Sequence, residues 1–295
     1  MPVLERIRLY PVKSLDGVEV EVGRVLAGTG LTHDRRWRLL DMDGREINGK
    51  RCPALHAIRA AFELEFDPTG VQVPRRVSLA VDSARTRGLP DLGEETFPLR
   101  PGSDGPCGWL SEALGFPVLL QERVIGGFPD DRDAAGPTLV ATASLIEVGR
   151  WFGLEIDECR RRFRANLEIG RCDAFWEDAL ASPLGDLPRP SLAQLPEDLP
   201  TDPYADPPPP EPRAFMVGSA RFAAANVCRR CPVPGRDSFS GEENPRFREL
   251  FELRRRATLR DDVDASGWGT LYRLSLNTHV IAAGDLAVGD PVLPL

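Results

Sequence analysis

The stretch Cys228-Arg229-Arg230-Cys231-Pro232-Val233-Pro234-Gly235-Arg236-Asp237 sets two thiols among three arginines, in a chain whose net charge is −8. A free cysteine titrates near ~8.5, so a thiolate at neutral pH calls for a neighbouring cation or a metal. Arginine grips phosphate and carboxylate through a planar fork. Thiol and arginine in one loop point to an anionic, metal-bearing ligand more than to packing alone. Three plainer readings compete. A C-x2-C pair is half of a zinc site, but zinc takes four ligands. Here Cys52, Cys107, Cys159 and Cys172 are singletons, and His33, His56 and His279 are scattered. A redox C-x2-C normally opens a helix, which Pro232 and Pro234 forbid directly after this pair. A structural disulfide asks for an oxidising compartment, and Met1-Pro2-Val3-Leu4-Glu5-Arg6 does not read as a secretory signal.

The 295 residues leave room for two modest domains or one large one. Hydrophobic residues make up 42%, enough for real cores, so the chain is read as globular. The acidic balance argues against nucleic acid or an anionic membrane as partner. No run of about 18 apolar residues predicts a membrane helix, and a cytoplasmic protein is expected. Of 37 basic residues only Lys13 and Lys50 are lysine. A GC-rich coding bias accounts for that, yet a surviving lysine is notable where a compact point charge matters.

Residues 1 to about 100 read as β-rich. Val3, Ile7 and Leu9 approximate strand alternation, Val18 to Val22 alternates cleanly, and Trp37 to Leu40 runs into a hairpin turn at Asp41–Gly44. Ile58 to Phe66 and Val77 to Val81 add strands, 107–115 a short helix, and Val118 to Leu120 another strand. Gly126 to Asp133 is a turn-rich break and the expected domain boundary. Thr142 or Ser144 is expected to cap a helix through Phe152. Arg164 to Ile169 reads as a strand, Asn244 to Arg256 as a helix and Leu271 to Val280 as a strand. Residues 183–212 hold eleven prolines and are read as a solvated surface insertion.

Several separated segments together resemble the MOSC proteins (molybdenum-cofactor sulfurase C-terminal type) that carry a β-barrel domain ahead of MOSC. They are Tyr10-Pro11-Val12-Lys13-Ser14, Asp34-Arg35-Arg36-Trp37 (the family's D-R-x-W), Arg164-Ala165-Asn166, Phe175-Trp176-Glu177-Asp178 and Val288-Gly289-Asp290-Pro291-Val292. The strongest is Cys228-Arg229-Arg230-Cys231, the family's C-x-R-C, followed in register by Asp237-Ser238-Phe239-Ser240-Gly241 for D-x-x-[TS]-G. The resemblance implies a mixed, β-rich α+β fold. Residues 1–125 would be the MOSC N-terminal β-barrel domain. Residues 126–295 would be a β-barrel MOSC domain with flanking helices.

This arrangement is similar to the mitochondrial amidoxime-reducing component and its bacterial relatives, which bind a molybdenum-molybdopterin cofactor through one protein cysteine. The resemblance makes Cys231 the metal ligand and Cys228 its neighbour. It makes Lys13, Arg35, Arg164 and Asn166 the residues that hold the cofactor's phosphate and ring. Asp237 would orient an arginine or a metal-bound water, or simply cap a turn. Arg164-Ala165-Asn166 stands where the family often has Arg-Pro-Asn, and Ser240 where threonine is common.

Three functions follow. The first is an oxidoreductase that reduces N-oxygenated small molecules, with electrons from a separate ferredoxin- or cytochrome-type protein. The second is a non-catalytic sulfur or cofactor carrier with Cys231 as the carrying thiol. The third is a regulatory protein whose Pro-rich loop recruits a partner, which the retained cofactor-type residues argue against. An iron–sulfur C-x4-C-x2-C spacing is absent. Pyridoxal phosphate belongs to the family only through an aminotransferase-like domain with a Schiff-base lysine, so cysteine desulfurase activity by this chain alone is not expected.

Overall fold

Strand pairing carries residues from both ends of the sequence into one sheet. The computed structural model describes residues 1–82, 88–100, 105–181 and 213–295; the Pro-rich stretch 183–212 lies outside the described residues. β1 (Val3–Leu9) buries Leu4, Ile7 and Leu9. That spacing breaks strict alternation because the register shifts between Leu4 and Arg6. β2 (Val18–Val20) pairs with β1, while β3 (Val22–Val25) turns to another partner, so the alternating run is two strands. β4 (Trp37–Leu40) and β5 (Glu46–Ile47) form the expected hairpin. β6 (Ile58–Phe66), β7 (Gln72–Val81) and β8 (Glu95–Pro98) make an antiparallel sheet. Next come α1 (Gly105–Leu114) and β9 (Leu119–Glu122), which pairs with β4. Trp37, Leu39, Ile58, Val77, Leu79 and Leu110 centre this part's core.

β10 (Leu139–Ala141) leads straight into α2 (Thr142–Phe152). Neither expected hydroxyl caps that helix: its N-cap is Ala141, while Thr142 donates to Glu5 and Ser144 to Glu177. α3 (Ile156–Phe163) follows, and β11 (Leu167–Gly170) starts three residues later than expected because Arg164 ends α3 in the left-handed region. Then come α4 (Trp176–Ala181), β12 (Ala214–Val217), β13 (Ala220–Arg229), α5 (Phe247–Ala257), β14 (Arg273–Ala282), β15 (Gly284–Ala287) and β16 (Val292–Pro294). Eight strands run in the order β16-β12-β13-β14-β10-β11-β1-β2, and β15 pairs with β3. The architecture is β-rich with helices packed on the sheet. α2, α3 and α5 bury Leu145, Val148, Phe163, Phe247 and Phe251 against Val140 and Leu274 of the strands.

Polar groups lie under those helices. Arg255, fully buried, pairs with Asp178, and Glu177 beside it accepts a hydrogen bond from Ser144. Burial, then the neighbouring Asp178, raises the Glu177 carboxyl above its ordinary value of 4.5 to about 8. Between those values the folded protein holds a proton that the unfolded chain releases, so stability falls as pH rises through the window. Glu177→Gln is therefore expected to gain on the parent protein steadily from pH 4.5 to 8 in urea titrations. A gap independent of pH would count against a protonated Glu177.

Candidate functional site

Two turns lock together beneath a cavity. The Tyr10 N–H donates to Asp34, and the Tyr10 C=O accepts from the Arg35 N–H. The Trp37 N–H donates to Pro11 and the Lys13 N–H to Trp37. The Y-P-V-K-S and D-R-R-W segments are thus zipped side by side, which brings Lys13 and Arg35 together. Ser14, Arg35 and Arg164 all adopt positive φ, at +72°, +47° and +53°. Non-glycine residues seldom do so, and such backbone persists only where its surroundings enforce it.

The cavity measures about 500 Å³. Lys13, Arg35, Arg164, Asn166 and Cys231 all line it, though they come from four separate segments. Asp237 does not. One of its oxygens accepts the N–H groups of Phe239 and Ser240 and the Ser240 hydroxyl, and the other lies 3.5 Å from Arg162. Its place is that of a turn cap. Among the described residues, eleven lysine and arginine side chains and five carboxylates line the cavity. Both lysines of the chain are included. A net-negative protein has therefore turned its positive charge inward here.

Lys13 Nζ lies 3.2 Å from Asp130 and 3.4 Å from Glu46. Arg35 pairs with Asp34, reaches Asp130 at 3.2 Å and donates to Asn166 Oδ1 at 3.3 Å. Burial works against its charge, but Asp34 and Asp130 hold it firmly protonated. Asn166 is buried and fixed: its amide donates to the Arg8 C=O and accepts from Thr138. Arg164 stacks 4.1 Å from the Tyr10 ring centroid and has no carboxylate within ion-pair distance among the described residues. Burial, with Arg35 adding to it, pushes its pKa below the usual arginine value. An anion placed between Lys13, Arg35 and Arg164 relieves that crowding.

Asp130 already stands in that position. Burial opposes its charge, yet Arg35, Lys13 and Arg164 hold its carboxyl well below the ordinary range, although two-thirds of the side chain is exposed. It acts as an internal competitor for the same cations. Asp130→Asn is expected to tighten inorganic phosphate binding several-fold by calorimetric titration. Weaker binding would make Asp130 a strut for the two cations.

The thiol loop is held from outside. Cys228 and Cys231 are free thiols, and Val233–Gly235 forms a short 3-10 turn, which the two prolines permit. Arg230 donates to the Phe163 C=O and to Cys228 Sγ at 3.3 Å, which ties the loop to α3. Cys228 and Cys231 both face the cavity. Sequence reasoning missed Asp130, His56, Arg59 and Arg161 as cavity residues. Only Asp130 carried a signal, through the turn-rich segment that holds it.

Residues 1–116 match the MOSC N-terminal beta barrel domain. Over 83% of its length the chain is similar to proteins named molybdenum cofactor sulfurase from Drosophila yakuba (27% identical) and Drosophila ananassae (31%), and the alignment covers 29% of each relative. A molybdenum cofactor sulfurase from Oryza sativa subsp. japonica is 33% identical over 40% of this chain and 15% of its own. The chain thus spans less than a third of the length of these relatives. The crystal structure of the YuaD protein from Bacillus subtilis superposes with a TM-score of 0.37 at 10% identity, over 99% of this chain and 94% of that one. So loose a likeness says nothing about the site. Among the described residues no helix is long and apolar enough to cross a membrane.

Proposed function

We propose that this chain, whose residues 1–116 match the MOSC N-terminal beta barrel domain, is a MOSC-type protein that binds molybdopterin in its cationic cavity and reduces N-oxygenated small molecules. Residues 126–295 are the MOSC domain in this reading. The observation that carries it is that Lys13, Arg35, Arg164, Asn166 and Cys231 line one cavity. These residues fit the group: Arg164, with no carboxylate at ion-pair distance among the described residues, and the Lys13–Arg35 pair suit a phosphate, and Cys231 offers a soft thiolate to a high-valent metal. When bound, the cofactor supplies a metal centre able to take up oxygen while two electrons arrive from a separate ferredoxin- or cytochrome-type protein. The chain's own residues bind and orient it. Each cation in contact with the phosphate contributes on the order of 4 kcal/mol at an effective dielectric of ~20, before desolvation.

The test is molybdenum content in protein purified from a molybdate-supplied host, for the parent and for Lys13→Ala. The parent is expected to hold close to one atom per chain and the variant much less, with an unchanged melt. Full retention by the variant removes the first domain from the site. Arg35→Ala is a poorer probe, because Arg35 is 8% exposed and its loss leaves Asp34 without its partner.

The relatives' name favours a second reading, in which the chain carries sulfur or delivers the cofactor and Cys231 holds a persulfide. In that case Cys231→Ser loses transferable sulfur while molybdopterin binding persists.

A further inference from the structure

Three of the five cavity carboxylates gather around two cations. Lys13 and Arg35 are matched by Asp34, Glu46 and Asp130. The wall built from β6, α3 and the turn after Cys231 is different. Arg59 and Arg161 lie 4.8 and 4.6 Å from the Phe239 ring centroid, and both reach Ser238, one at its C=O and the other at its hydroxyl. Arg236, Arg164 and Arg59 also act on the charge of His56. All of these cations line the cavity, and so does His56.

Each of the three arginines Arg59, Arg161 and Arg236 has one carboxylate partner among the described residues, but only one of those carboxylates belongs to the cavity. Asp16, 3.5 Å from Arg59, is a cavity carboxylate. Glu243 meets Arg236 at 3.6 Å and Glu158 meets Arg161 at 3.0 Å, but neither lines the cavity. Among the described residues, the Nε atoms of Arg59 and Arg236 are buried without a hydrogen-bond partner. Buried donors are normally matched, so two unmatched guanidinium donors on one wall mark a place where an acceptor is wanted. Burial and then the surrounding guanidinium groups push the His56 pKa below its usual value, so a neutral imidazole sits among the forks at pH 7.

We propose that Arg59, Arg161, Arg236 and His56 form a second oxyanion subsite, separate from the Lys13–Arg35–Arg164 set, which seats a carboxylate or phosphate group of the substrate. Planar guanidinium forks match both groups, and the imidazole adds one neutral hydrogen-bonding atom. The substrate class is then an N-oxygenated organic acid or phosphate ester. Naming the anion as substrate rests on the reductase reading; the subsite itself does not.

The experiment separates the two. The full chain, free of cofactor, is titrated with inorganic phosphate by calorimetry. Two saturable sites are expected. Lys13→Ala removes one, while Arg236→Gln weakens the other at least tenfold with an unchanged melt. Arg59→Gln is a second probe of the same subsite, and Arg236→Lys is expected to keep part of the binding. A single site that Lys13→Ala abolishes and Arg236→Gln leaves alone overturns the proposal. So does loss of both sites on loading with molybdopterin, because the wall then belongs to the cofactor. If no molybdenum can be loaded, the reductase reading fails and the phosphate titration still decides the subsite. In the loaded protein, an N-hydroxy compound bearing a carboxylate and one bearing a phosphate are each compared with a neutral analogue. Whichever group fits shows a lower KM that Arg236→Gln erases, and equal KM values for all three overturn the substrate assignment.

Discussion

Cys231→Ser is expected to remove N-reductive activity and to change the molybdenum spectrum, while Cys228→Ser keeps most of both. The expected loss exceeds about a hundredfold, the scale at which residues supporting a metal ligand, rather than the ligand itself, have their effect. The reason is donor chemistry. Under the proposed function, serine offers a hard oxygen of much higher pKa where a soft, covalently sharing thiolate would hold the metal. Cys228 is in a different position: its sulfur accepts a hydrogen bond from Arg230 at 3.3 Å, and a serine oxygen accepts the same bond. Reduction of an amidoxime with an artificial donor, together with electron paramagnetic resonance of the metal, reads both variants. An inactive Cys228→Ser beside an active Cys231→Ser exchanges the roles of the two thiols.

Arg255→Met is expected to lower stability by about 3–5 kcal/mol, the cost of leaving one partner of a buried ion pair without the other. Asp178 and Glu177 lie at 1% and 0% exposure, so neither carboxyl gains water when the guanidinium goes. The Arg255 Cζ also lies 4.1 Å from the Phe175 ring centroid, and methionine keeps only part of that contact. At ~2–4 °C per kcal/mol for chains of this size, the melt falls by roughly 10 °C. Adding Asp178→Leu is expected to recover part of the loss, because a buried pair replaced by apolar groups is often neutral. A single variant that melts within about 2 °C of the parent would refute this account.

The local chemistry of the site was legible because it is written in short runs. A thiol between arginines, a lone lysine after a strand and an arginine beside a tryptophan each state their residue types directly. That these runs face one cavity came through likeness to a family and not from the residues themselves. α3 was missed: its apolar residues are only Ile156, Cys159 and Phe163, set among five charged ones, although their spacing is helical. β13 was missed because Ala223, Ala224 and Ala225 have no strand preference of their own. Pairing with β14 imposes the extended form. Arg59, Arg161 and Asp130 read as surface charges, since nothing in a strand, a helix end or a turn says which side will be walled in.

The sheet order has a consequence for how the protein comes into being. Arg24 joins Asp285 across 261 positions, and Asn166 joins the Arg8 carbonyl across 158. Such distant pairings make folding slow, because loop-closure entropy is lost before any contact rewards it. At a synthesis rate of ~5–20 residues per second, β3 leaves the ribosome on the order of tens of seconds before its partner β15, and β1 well before its partner β11. Through that interval their edges stay open to wrong partners. Cys231 and Lys13 cannot face each other until translation has passed the midpoint of the chain by a wide margin. Under the proposed function, cofactor loading waits for this late segment, and a chaperone that shields β1 is expected to raise the yield of loaded protein more than extra molybdate does.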